Sequence, residues 1–77
     1  MSKLIQGQES EAKIDLLLSL TRINSVNKID ALKLHLVKGY PAVMAYELCD
    51  VKQQNFKSTL DALNRVYTIH EKLNELD

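Results

Sequence analysis

Ile14, Leu17, Leu18 and Thr21 fall at i, i+3, i+4 and i+7 in a stretch that turns helical from Glu9 or Ser10. That spacing lines one face of an α-helix. Glu11 and Asp15 stand near its N-terminus, where the backbone dipole favours negative charge. Leu16, Leu20 and Ile23 lie off the stripe, so this first helix is apolar over more than half its girth. The core of one small domain hides less surface than that, which predicts an association face. Ahead of it, residues 1–8 hold Gly7 and two glutamines, Gln6 and Gln8, and show no period. They read as a flexible lead-in to a single domain over 9–77.

Asn24-Ser25 and Asn27 interrupt the pattern, and either Ser25 or Asn27 suits the cap of a second helix. Val26, Ile29, Leu32 and Leu36 then form a narrower stripe that stops at Lys38-Gly39. Pro41 opens a short third helix to about Leu48, with Val43, Met44 and Leu48 as its expected core residues. Cys49-Asp50-Val51 reads as a tight turn. A long fourth helix follows from about Lys52 towards Leu76, on a stripe of Phe56, Leu60, Leu63 and Tyr67. Val66, Ile69, Leu73 and Leu76 continue it at 3-4-3 spacing, enough to dock on the first helix or on a second chain. The expected association residues are therefore Leu16, Leu20, Ile23, Ile69, Leu73 and Leu76.

Composition supports an all-α reading. The 77 residues are 45% hydrophobic and 26% charged, ordinary for a globular chain. Two glycines and one proline are too few for the turns of a β-barrel or sandwich. The expected fold is a small four-helix bundle containing a helix-turn-helix. A single cysteine, Cys49, forms no internal disulfide, which points to a reducing compartment. No apolar run, Leu16-Leu17-Leu18 included, approaches the length of a membrane span, and Met1-Ser2-Lys3 does not open a signal peptide.

Catalytic chemistry finds little to stand on. His35 and His70 are the two histidines, and His35 among Leu34, Leu36 and Val37 reads as a helix-surface or half-buried packing residue. Cys49 with two distant histidines lacks zinc-ligand spacing. Gly7 and Gly39 build no phosphate loop. Glu71 and Glu75 read as a solvated helix end. No enzyme, metal or cofactor is expected.

Ala31 to Val66 says more: helix, glycine break, short helix, three-residue turn, then a helix opening Lys52-Gln53-Gln54-Asn55. This is the order of a helix-turn-helix, whose last helix leads into a DNA groove with its N-terminal residues. Val51 suits the plug of the turn, and Phe56 and Leu60 suit the anchor between helices. Lys52 and Lys57 neutralise phosphates, and Gln53, Gln54 and Asn55 offer paired contacts to base edges. Two positions depart from the usual pattern. The turn glycine is replaced by Asp50, and the small residue five places before Val51 is Tyr46, bulky enough to force the helices apart or swing outward. Net charge is zero, yet residues 22–65 hold seven cations against four anions, and the ends hold three against six. The middle is the expected DNA surface, and dimerisation would double its charge.

The blocks Ala31-Leu32-Lys33-Leu34-His35-Leu36-Val37-Lys38-Gly39 and Val51-Lys52-Gln53-Gln54-Asn55-Phe56-Lys57-Ser58-Thr59-Leu60-Asp61-Ala62-Leu63 resemble the PapB/FocB family of adhesin-biosynthesis transcriptional regulators. Leu16 to Ser25 is similar to that family's leucine-rich first helix and its exit, so the resemblance covers about residues 12–67. It implies a cytoplasmic, nucleoid-associated regulator of fimbrial operons that binds AT-rich double-stranded DNA as a dimer or higher oligomer. Carried over, Lys52, Gln53, Gln54, Asn55, Lys57 and Ser58 fall on the recognition-helix tip, and Arg65 falls near a basic position beyond it. Minor-groove contact, implied for some members, favours cations inserted into a narrow groove. The chain departs from the family in being shorter at both ends, in an acidic Glu71, Glu75 and Asp77 tip, and in fewer cations at the recognition tip. The alternative reading is a protein–protein adaptor or antagonist that joins a related regulator and binds DNA weakly or not at all.

Overall fold

The computed structural model describes residues 3–75, without the side chain of Glu75. Four helices follow in order: α1 Glu11–Ser19, α2 Val26–Leu36, α3 Ala42–Leu48 and α4 Gln53–Glu75. The described residues hold no strand. The fold is the all-α four-helix arrangement expected.

Local chemistry sets the boundaries. The Ser10 hydroxyl accepts the Lys13 amide (3.2 Å) at the start of α1, and the Ser25 hydroxyl accepts the Lys28 amide (3.4 Å) at the start of α2. Of the two candidate caps, Ser25 therefore serves, in the extended conformation that a cap requires. At the end of α2 the Lys38 and Tyr40 amides close onto the Lys33 and Leu34 carbonyls, and the chain leaves through Gly39 at φ 84°.

Ile14, Leu17, Leu18, Ala31, Leu32, Leu36, Phe56 and Leu63 form the centre of the core. α1 buries Ile14, Leu17 and Leu18, and the first part of α4 buries Phe56 and Leu63 with Leu60, Val66 and Tyr67 packed against them, while Ile69 and Leu73 stay exposed. α3 does not bury its expected residues: Val43, Met44 and Leu48 face solvent, and Ala45 is fully buried. Ala42, Tyr46 and Cys49 pack against the core beside it, completing an i, i+3, i+4, i+7 stripe. A seven-residue helix docks closely when its inner face is small, so the larger apolar residues are turned outward. Val26 is also exposed, because it occupies the first turn of α2, ahead of the core.

The lead-in is a second correction. Residues 4–9 are docked. Leu4 is buried and its amide donates to Asn64 Oδ1 (2.9 Å). The Gly7 and Glu9 amides donate to the His35 and Leu36 carbonyls at 3.1 Å each, supplying donors that a helix C-terminus otherwise lacks. Gly7, at φ 70°, crosses Gly39 so closely that a Cβ on Gly7 would stand 3.0 Å from the Gly39 Cα.

Candidate nucleic-acid interface

The turn between α3 and α4 is built around Asp50, the one described non-glycine residue with positive φ, at 56°. It occupies the left-handed conformation that the turn requires and that Asp tolerates better than most residues. The Val51 amide donates to the Tyr46 carbonyl (2.8 Å), and the Val51 side chain is buried as the plug of the turn. Tyr46 does not swing free. Its half-buried ring tilts against Phe56 at 5.6 Å between centroids, while the small residue the pattern lacks at 46 is supplied next door by Ala45. Phe56 also receives the His35 ring edge-on at 5.8 Å. His35 Nδ1 donates to the Tyr40 carbonyl (2.8 Å), so this histidine packs the motif together.

Beyond this anchor, Lys52, Gln53, Gln54, Asn55, Lys57 and Ser58 are all exposed at the start of α4. The Phe56 amide closes on the Lys52 carbonyl (2.9 Å), and the Thr59 hydroxyl, buried behind the tip, donates to the Asn55 carbonyl (2.7 Å). Arg65 is exposed too, about 20 Å along the helix from Lys52 at 1.5 Å per residue. Asp61 stands exposed between them, four residues from both Lys57 and Arg65, and is the one acidic residue from Gln53 to Arg65.

The cations divide into two sets. Lys13 bonds to Glu9 (2.7 Å) and lies 4.3 Å from the Tyr67 ring centroid. Burial works against its charge, but its bonds to Glu9 and Tyr67 hold the ammonium above its ordinary range. Lys33 bridges α2 to Asp15 of α1 (2.8 Å), and that bond raises it as well. Lys52, Lys57 and Arg65, and also Arg22 and Lys28, have no ion pair among the described residues. Arg22 and Lys28 line a cleft of about 320 Å³ together with Thr21, Asn24, Thr59 and Ala62. Arg22 comes from the α1–α2 loop and Lys28 from the first turn of α2, both outside any helix-turn-helix pattern, so residue spacing gave no sign of them beyond the basic middle of the chain.

The expected association residues are partly gathered. Leu16 (61% exposed), Leu20 (59%), Ile69 (54%) and Leu73 (58%) lie on one side, where the end of α1 meets the second half of α4. Ile23 is not among them: it is half-buried against the core. Leu76 lies outside the described residues. Cys49 is half-buried, and burial, aided by the nearby Asp30 charge, pushes its thiol above the ordinary range. No cluster of three or more His, Cys, Asp or Glu residues suited to a metal occurs among the described residues. Among them, too, no helix is long and apolar enough to cross a membrane.

No family model and no curated protein matches the chain. A solved structure does: E. coli FocB, with a TM-score of 0.89 and 29% sequence identity, over 97% of this chain and 85% of that one. The likeness runs through all four helices and agrees with the resemblance carried by Ala31–Gly39 and Val51–Leu63.

Proposed function

From the premise that this chain is a FocB-type protein of the PapB/FocB family, we propose that it is a DNA-binding transcriptional regulator of fimbrial adhesin operons. In this reading it binds AT-rich duplex DNA as a dimer or higher oligomer, in the cytoplasm and associated with the nucleoid. The observation that carries the reading is the outward tip of α4. Lys52 to Asn55, Lys57 and Ser58 stand exposed beyond a turn locked by Asp50 and Val51, on a helix anchored by Phe56. Lys52 and Lys57 contact phosphates, and Gln53, Gln54 and Asn55 read base edges. Arg65 extends the contact along the helix. The exposed apolar face of Leu16, Leu20, Ile69 and Leu73 joins the copies.

The test is fluorescence anisotropy with AT-rich and GC-rich duplexes at two salt concentrations. Binding through about four phosphates weakens about a hundredfold between about 50 and about 200 mM salt. Lys52→Ala with Lys57→Ala removes most of it. Undiminished affinity in that double variant refutes the assignment of the α4 tip.

A second reading has its own observation. In a helix-turn-helix the helix before the turn crosses the DNA backbone, yet α3 carries no cation and exposes Val43, Met44 and Leu48. An adaptor that pairs with a related regulator would use such a face. Its association would hardly respond to salt, and a folded sample that binds neither duplex favours it.

A further inference from the structure

Of the regions outside the α4 tip, the cleft between the α1–α2 loop and α4 is the one whose chemistry names a ligand. The loop is a held platform. The Thr21 hydroxyl donates to the Leu18 carbonyl (2.8 Å) and accepts the Ile23 amide (3.2 Å), while Ile23 packs against the core. Inward Thr21 and Ile23 thus alternate with exposed Arg22 and Asn24. Ser25 then caps α2, which fixes Lys28 one turn further on. Across the cleft lie Thr59 and Ala62 of α4. Ala62 is four residues from Ser58 and three from Arg65, so the cleft borders the same side of α4 as part of the exposed tip.

Charge decides what the cleft takes. Arg22 and Lys28 have no ion pair among the described residues, whereas Lys33 on the same helix as Lys28 is committed to Asp15 and Glu11. No acidic residue lines the cleft. Two unneutralised cations with the Asn24 amide beside them, on a fixed loop and the first turn of α2 flanking a DNA-reading helix, match a phosphodiester backbone.

Resting on the regulator reading above, we infer that Arg22 and Lys28 form a second phosphate-binding site, which grips the DNA backbone beside the groove entered by α4. This site adds affinity and fixes the angle of α4, and it carries no sequence preference. Together with Lys52, Lys57 and Arg65 it makes the DNA-facing side basic in a chain whose net charge is zero.

The experiment titrates the wild-type chain, the Arg22→Ala/Lys28→Ala variant and the Lys52→Ala/Lys57→Ala variant against AT-rich and GC-rich duplexes from about 50 to about 200 mM salt. Removing one cation from a phosphate lowers the slope of log affinity against log salt by about 0.9. The Arg22/Lys28 variant is therefore expected to show a slope shallower by about 1.8 for each bound chain, shrinking the salt-driven loss of affinity about twelvefold per chain, while the ratio of AT-rich to GC-rich binding stays at the wild-type value. An unchanged slope in a wild type that binds DNA overturns this site and leaves the α4 reading standing. A wild type that binds neither duplex overturns both. Circular dichroism checks that each variant is folded, and Lys28→Glu alone, which keeps Arg22 and the loop, is the second variant, expected to weaken binding to both duplexes equally.

Discussion

The crossing of Gly7 over Gly39 allows a prediction whose size follows from geometry. Replacing Gly7 by Ala forces a residue with a Cβ to hold φ 70°, and that Cβ would stand 3.0 Å from the Gly39 Cα, a backbone atom that cannot rotate away. The left-handed conformation costs an L-residue roughly 1–2 kcal/mol. Restricting the unfolded chain returns roughly 0.4–1 kcal/mol. The close approach adds to the cost, because relieving it shifts the segment whose Gly7 and Glu9 amides satisfy the end of α2. We expect Gly7→Ala to lose about 1.5–2 kcal/mol, the conformational cost with a broken hydrogen bond on top. Gly39→Ala is the internal comparison. Its φ of 84° carries the same conformational cost, but its Cβ would meet the Gly7 Cα at an ordinary 3.6 Å, so it should lose about 1 kcal/mol or less. For a domain of this size each kcal/mol moves Tm by about 4–8 °C. Urea denaturation followed by circular dichroism measures both. A Gly7→Ala variant as stable as wild type, or less damaging than Gly39→Ala, would refute the docked lead-in.

Three further outcomes are expected. Ala45→Leu, which inserts volume at a fully buried site, should cost about 1–3 kcal/mol, while Val43→Ala on the exposed side should stay within about 0.5 kcal/mol; the reverse order in urea would mean that α3 is turned the other way. Burial alone would raise the Glu9 carboxyl, but bonds from Lys13 and the Ile5 amide hold it below its ordinary 4.5. Its contribution to stability is thus present above that value and is lost as pH falls through the lowered one, so Glu9→Gln should flatten part of the acid loss of stability; an acid limb identical to wild type removes Glu9 from the account. Charging Leu16 and Leu73 together with Glu should leave a single monomeric species in sedimentation velocity, and persistent oligomers in that variant would place the association face elsewhere.

Much of this architecture is legible before any coordinates. The stripe from Ile14 to Leu18 and the stripe through Phe56 and Leu63 are carried by large aliphatic and aromatic side chains at helical spacing. Ser10, Ser25 and Gly39 act through their nearest neighbours, so local chemistry is enough to place them. The face of α3 was not legible, because a stripe of Ala42, Ala45, Tyr46 and Cys49 is weakly apolar beside Val43, Met44 and Leu48. The lead-in was missed for a different reason: Gly7 and Glu9 act through backbone amides, which every sequence has, on carbonyls about thirty residues away. Of the cations assigned to the proposed DNA surface, Lys52 and Lys57 follow from their place on a helix start. Arg22 and Lys28 depend on a tertiary approach of the α1–α2 loop and the start of α2 to α4.

α4 runs 23 residues without glycine or proline, with the exposed 52–58 tip proposed to read the groove at one end and Ile69 and Leu73 at the other. Such a helix acts as a ruler. A slip of one helical turn where two copies meet displaces each tip by the same pitch of about 5.4 Å. At about 3.4 Å per base step, that is roughly one and a half base pairs. In the proposed dimer, packing at the distant end of the rod would therefore set the spacing of the half-sites that the two tips reach.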